Sequence, residues 1–275
     1  MARQCCQMTS ESKGHFESEP PISILLLFYA LIFFYTLDIK NIIFNPKFYQ
    51  HFLPSILISF FRLRALIITS LVYSCNITGT ETVTITLTWA LLLMAHYPVI
   101  QNRVRQEIHD NIGFDRLPST SDRLQLRYTD AVLNEVQRFA TISPNSVPHR
   151  AMRNVKFRGY DIPENAMILS NIYAVHHDEN VWPDPNNFNP EANFIRRDES
   201  GEIGIVNTEH LIPFGVGRRV CLGESLARQE LWIFFVGLMQ RFQMSGNPKS
   251  SLPSIYKTTK NGIVQAPLLY ELSIY

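Results

Sequence analysis

The sequence predicts a mainly α chain of the α+β kind, a helical body with small β-sheets attached. Three observations predict it. Apolar residues recur at helical spacing between Leu87 and Phe139, and again after Cys221. The period shortens after Arg150, where "VKFRGYDIPENAMILSNI" reads as short strands. The chain has 275 residues and is 46% hydrophobic, enough to bury a sizeable core as one large domain or two small ones.

The elements follow in order. "LTWALLLMAH" (Leu87–His96) is apolar almost all round and predicts a buried helix. Pro98 suits the first position of the next helix, where its missing N–H would lack a partner anyway. Ile100, Val104 and Ile108 then recur every four residues. "YTDAVLNEVQRF" predicts a third helix, capped by Thr129 or Asp130, with Val132, Val136 and Phe139 as its apolar stripe and Pro144 and Pro148 beyond its end. Two short strands around a turn at Pro163-Glu164-Asn165 come next. "WPDPNNFNPEANF" predicts an irregular, proline-rich coil. The last long helix begins soon after Cys221 and runs to about Phe242, and "TTKNGIVQAPLLYEL" predicts a closing hairpin.

Charge and cysteine usage exclude some functions. The formal net charge is +1, which argues against a nucleic-acid partner, because phosphate recognition calls for a basic excess. Cys5, Cys6, Cys75 and Cys221 form no C-x-x-C pair and have no metal-like spacing. A disulfide framework is therefore not expected, and a reducing compartment is. Residues 1–75 differ from the rest in holding nine of the 18 phenylalanines, so an apolar segment is sought there. Pro20–Leu37 is a run of 18 residues without a charge, close to the roughly 20 of a membrane span. Glu11, Glu17 and Glu19 stand where a secretory signal would be basic. Residues 1–75 are left unassigned, with a membrane anchor around residues 20–37 or a buried or ill-folded segment as the two readings.

The stretch "PFGVGRRVCLGESLARQELWIFF" (Pro213–Phe235) carries the chemistry. A thiol becomes a strong ligand as its thiolate, which the unpaired N–H groups and macrodipole of a helix N-terminus favour. Gly217 and Gly223 let the backbone turn and approach a flat ligand closely. Arg219, two residues before the thiol, can neutralise a carboxylate of that ligand. A lone cysteine in a helix-entry loop also reads as a structural residue, so the whole pattern decides. That pattern, Phe214-x-x-Gly217-x-Arg219-x-Cys221-x-Gly223, resembles the haem-binding loop of the cytochrome P-450 family. The resemblance implies a cytochrome P-450-like fold in which Cys221 is the axial ligand of the iron of haem b and Arg219 meets a propionate.

Other stretches extend the resemblance. Glu135 and Arg138 share a helix face beside the apolar stripe and resemble the family's E-x-x-R pair, a structural feature. "TGTETV" (Thr78–Val83) resembles the oxygen-activating part of the family's long central helix. There Gly79 leaves room for dioxygen, while Thr82 and Glu81 relay protons. Thr78 stands where the family usually has Ala or Gly, and its branched side chain crowds the space above the iron. The resemblance also implies that Ile142, Ser143, Ser146, Val147 and Ile263 line the substrate cavity and that His149 reaches a propionate. "FNPEANF" resembles the P-E-R-F coil, but an extra residue separates Pro190 from Phe194 and the arginine is absent, which leaves Arg196 or Arg197 as substitutes. "HHD" (His176–Asp178) reads as surface or coil histidines rather than a metal site, since adjacent side chains rarely converge on one ion.

The resemblance covers about residues 76–275, the C-terminal part of a P-450 haem domain, and its wording is closest to animal microsomal members that oxidise xenobiotics, steroids or fatty acids. It implies a monooxygenase that inserts one oxygen atom of O2 into an apolar small molecule. Electrons come from NADPH through an NADPH-dependent cytochrome P-450 reductase, at the cytosolic face of the endoplasmic reticulum membrane. A complete member is longer, so the N-terminal half is expected to be missing, with much of the substrate roof and part of the reductase docking face. Two further readings stay open. One is a truncated, inactive membrane-associated fragment that binds haem poorly or not at all. The other is a haem-thiolate isomerase or dehydratase working without external electrons, against which Thr82 and Glu81 stand.

Overall fold

Helix α1 (Gly79–His96) and helix α2 (Pro98–Asn111) meet at an angle of 109°. Pro98 causes the break: it lacks an N–H and pushes the preceding Tyr97 out of helical geometry, to φ −118° and ψ 70°. These are the first elements of a computed structural model that describes residues 79–258 and 264–275. The expectations for residues 1–75, including the anchor around residues 20–37, and those for Thr78 and Ile263 lie outside the described residues. Buried Gln101 fastens the bend. Its amide N–H groups donate to the Met94 and Met244 carbonyls at 2.9 and 2.8 Å, and its carbonyl accepts from the Met244 N–H at 2.7 Å.

Helix α3 (Arg127–Ala140) is buried from Tyr128 to Ala140. The expected cap does not form. The backbone N–H groups of Tyr128 and Thr129 donate instead to Glu107 of α2, at 2.8 and 2.7 Å, as does the Thr129 hydroxyl. Asp130 is engaged elsewhere, paired with Arg123. The core gathers Trp89, Leu92 and Leu93 of α1, Val104 and Ile108 of α2, and Val132 and Val136 of α3. Helix α6 (Glu224–Arg241) closes it with Trp232, Phe235 and Met239. Among the described residues no single helix is long and apolar enough to cross a membrane.

Between α3 and α6 lie two five-residue helices, α4 (Ile172–His176) and α5 (Pro190–Phe194). Helix α5 falls inside the expected coil, and Asn189 caps it by accepting from the Ala192 N–H. Among the described residues eight strands make four antiparallel pairs. β1 (His149–Arg150) pairs with β4 (Met167–Ile168), and β2 (Val155–Phe157) with β3 (Tyr160–Ile162). β5 (Ile195–Arg197) pairs with β6 (Ile203–Ile205), and β7 (Met244–Gly246) with β8 (Leu272–Ile274). The expected turn at Pro163–Asn165 is present between β3 and β4, closed by the Ala166 N–H on the Pro163 carbonyl. A second, tighter hairpin at Arg158-Gly159 was not expected. Both residues have positive φ, as a two-residue turn matched to the strand twist requires. The centre of the expected closing hairpin, residues 259–263, lies outside the described residues; on either side of it Thr258 and Pro267 make an antiparallel bridge. β8, further on, pairs with the strand that follows α6.

Candidate functional site

The cysteine loop is built from its own backbone. Ile212 O accepts from the Gly215 N–H at 3.0 Å, and Gly217 O accepts from the Val220 N–H at 3.2 Å. The Cys221 N–H then donates to Phe214 O at 3.0 Å and closes the loop. Gly215 and Gly217 adopt φ of +79° and +81°, conformations that side chains resist. Gly223 does not, with φ −89°; it is the residue from which α6 springs. Of the two glycines read from the sequence only Gly217 is conformationally required, and Gly215 is the one that reading missed. Below the loop, the Arg228 guanidinium lies 4.8 Å from the Phe214 ring centroid and is held by Glu224 at 2.9 Å, so the first turn of α6 supports Phe214.

Cys221 is a free, exposed thiol three residues ahead of the 18-residue α6. Its carbonyl accepts from the Glu224 N–H, the first of the helix. A side-chain carbon built at Gly217 or Gly223 would meet nothing within 4 Å. Val216, Val220 and Leu222 present exposed apolar surface around the thiol, with Leu222 at 96% exposure, and Arg219 is exposed beside them. An open backbone, an apolar rim, one soft sulfur donor and a cation fit a flat apolar group that carries a thiophilic metal and carboxylates. Haem has those properties.

The Glu135–Arg138 pair is fully buried. Arg138 donates to both oxygens of Glu135, at 2.7 and 2.9 Å, and to the carbonyls of His176, Pro185 and Asn187 at 2.8–2.9 Å. Glu135 also accepts from the Asn189 N–H at 2.8 Å and from the Asn193 amide at 3.0 Å. Burial pushes the Glu135 carboxyl up, and the Arg138 guanidinium and the two amides oppose it. The third partner of the pair is thus Asn193, not Arg196 or Arg197, which sit exposed on β5. The extra residue in "FNPEANF" lets α5 make a turn that points Asn193 inward, where it also bonds the Asp184 backbone on both its donor and acceptor sides. His176, expected at the surface or in coil, is instead fully buried at the end of α4; among the described residues no group of three or more His, Cys, Asp or Glu could hold a metal ion.

The remaining predicted residues occupy a second region. Thr82 is half-buried on α1, its hydroxyl donating to Gly79 O at 3.2 Å, with Glu81 exposed beside it. A side-chain carbon at Gly79 would meet open space. Ile142 packs against the main core, and its carbonyl accepts from the Gln265 N–H at 2.7 Å. Gln265 O in turn accepts from the Trp89 indole of α1 at 3.1 Å. The C-terminal segment therefore ties the 142–149 stretch to α1. Along that stretch Ser143 is half-buried, Ser146 has φ +52° and Val147 is exposed; His149 is exposed on β1.

Comparison with known proteins assigns this arrangement. The sequence profile of the family described as cytochrome P450 matches residues 63–274. Cytochrome P450 2U1 of Bos taurus is 42% identical over 198 residues, 72% of this chain and 35% of that protein. Cytochrome P450 2K4 of Oncorhynchus mykiss is 44% identical over 194 residues, 70% of this chain and 37% of that protein. The chain spans about a third of the length of these curated relatives. A zebrafish cytochrome P450, solved with abiraterone, superposes with a TM-score of 0.65 at 36% identity, over 74% of this chain and 45% of that one. With the profile matched over most of its length and the helical fold shared, this chain belongs to the cytochrome P450 family.

Proposed function

We propose that this chain carries the thiolate and proton-delivery parts of a haem-dependent monooxygenase. The reaction inserts one oxygen atom of O2 into an apolar organic substrate, in the class of xenobiotics, steroids or fatty acids. The observation that carries the proposal is the Cys221 loop: an exposed thiol at a helix N-terminus, framed by glycines in left-handed conformations and an apolar rim. Residues 76–275 then form the C-terminal part of a haem domain. Residues 1–75 stay unassigned, with an anchor around residues 20–37 that would hold the protein on the cytosolic face of the endoplasmic reticulum membrane. An NADPH-dependent cytochrome P450 reductase supplies the electrons.

Bound haem supplies reductive activation of O2 and transfer of one oxygen atom. The chain's own residues do the rest. Cys221 binds the iron through its thiolate, held in place by the loop hydrogen bonds and by the start of α6. Arg219 neutralises a propionate and His149 reaches one. Gly79 leaves space on α1. The Thr82 hydroxyl, now donating to Gly79 O, turns to pass a proton that the Glu81 carboxyl replenishes from solvent. Ile142, Ser143, Ser146, Val147 and Ile263, with Thr78, line the cavity that orients the substrate.

The test is the carbon-monoxide difference spectrum of the reduced, haem-supplemented protein. The native chain gives the red-shifted Soret band of thiolate ligation, and Cys221→Ala loses it. A second reading is favoured by the exposure of Leu222 at 96% and Leu226 at 61%: a fragment that binds haem poorly because its apolar rim is left open to solvent. A native chain without any Soret band would support that reading and overturn the first. Reductase-dependent NADPH consumption by a haem-loaded chain separates monooxygenase from isomerase or dehydratase chemistry.

A further inference from the structure

The region behind the cysteine loop holds a group that the reading above leaves without a role. His176 ends α4 and is fully buried. Its Nε2 lies 3.0 Å from the backbone N of Ile212, the residue at which the cysteine loop begins. A backbone N–H can only donate, so Nε2 presents a lone pair and the ring proton sits on Nδ1. Nδ1 is 3.0 Å from the Thr141 hydroxyl, which in turn donates to Arg138 O. The His176 carbonyl accepts from the Arg138 guanidinium at 2.8 Å. We infer that His176 is a positioning residue for the cysteine loop: its imidazole couples the Arg138 end of α3 to the backbone from which Phe214 and Cys221 hang.

Three features carry this. Ile212 is fixed on both sides, its N–H by His176 and its carbonyl by Gly215, so the imidazole determines where the first turn of the loop starts. Thr141 has φ +35°, a conformation β-branched residues resist, and its hydroxyl is held there by His176 and Arg138 O. Thr141 directly precedes Ile142, so one imidazole links the cysteine loop to the stretch proposed to line the substrate cavity. The ring is also kept in its acceptor form: burial first, then the positive field of Arg138 and of neighbouring His177, hold its pKa down at about 3. Protonation would place a hydrogen against the Ile212 N–H and break the link.

The assignment rests on the haem-thiolate reading for its function but not for its geometry, and the test keeps the two apart. His176→Gln retains an acceptor near the Nε2 position, whereas the shorter His176→Asn reaches Thr141 and falls short of Ile212. Hydrogen–deuterium exchange of the full chain, with and without haem, reads the Ile212 amide; the reduced carbon-monoxide spectrum reads the thiolate fraction. His176→Asn should speed Ile212 exchange by about tenfold, as loss of one buried hydrogen bond implies, and lower the thiolate fraction. His176→Gln should stay near native in both. Equal Ile212 exchange in the Asn variant and the native chain would overturn the proposal. So would failure of both variants to fold, since ring shape rather than the acceptor would then be what matters. Altered Ile212 exchange in a native background that shows no thiolate band would support the positioning link and reject the haem reading alone.

Discussion

Arg138 shows what a single residue decides here. Each of its five N–H donors has an acceptor, two on Glu135 and three on carbonyls, of His176 at the end of α4 and of Pro185 and Asn187 in the coil that follows. That coil has little regular structure, so these bonds fix its path to the cysteine loop. Arg138→Ala would leave a buried carboxylate without its counter-charge and take a donor from three carbonyls, and is expected to destabilise the fold by about 3–5 kcal/mol in chemical denaturation. Arg138→Lys should recover little, because an ammonium has three donors and no planar fork. Asn193, buried between Glu135 and Asp184, is expected to matter less. Its replacement by Ala removes neutral donors and an acceptor, and a loss of about 1–3 kcal/mol is expected in the same measurement. No change on Asn193→Ala would argue that the pair needs no third partner.

At the scale of elements, α3 depends on α2 for its start. The first N–H groups of a helix lack intrahelical partners, and Leu126, at the cap position, has no side-chain oxygen. Glu107 fills the gap from another helix, with its carboxylate where the macrodipole favours negative charge. Glu107→Ala is expected to lower stability by about 1–2 kcal/mol, read from the thermal or denaturant midpoint, and Glu107→Gln to recover part of it. The sequence suggested Thr129 or Asp130 for this role because both are common capping residues. Neither was free: the Thr129 hydroxyl donates to Glu107 and Asp130 accepts from Arg123. Local pattern names residues able to cap, whereas packing decides which helix supplies the acceptor.

For the whole molecule, buried His176 and half-buried His177 set a pH dependence. Burial, with Arg138 and a neighbouring histidine contributing, lowers His176 to about 3; burial and Arg138 lower His177 to about 4. In the unfolded chain both return to the ordinary value near 6.5. Between these limits the unfolded state binds more protons, so stability is full above about pH 6.5 and falls as the pH drops towards 4. Each group adds at most about 1.4 kcal/mol per pH unit to the slope. Asp122, Asp178 and Asp184, all held below the usual carboxylate range by hydrogen bonds, lose their contribution only at lower pH. Urea denaturation between pH 7 and 4.5 should therefore show the histidine slope, and His176→Gln should make it shallower. An unchanged slope in that variant would mean that His176 does not carry it.

The sequence by itself determined the parts that short-range spacing encodes: the apolar run of α1, the periods of α2 and α3, the long helix after Cys221, the pairing of Glu135 with Arg138, and the glycine-and-cysteine loop at the start of α6. These depend on residues within a turn or two of one another, so their chemistry is visible in one dimension. Only the tertiary structure decided who meets whom at long range: Asn193 rather than an arginine on Glu135, Glu107 at the start of α3, β8 against β7, and His176 beneath Ile212. Each of these joins groups 21 or more residues apart. A buried polar group must find some partner, but the chain's packing, not its order, selects which one.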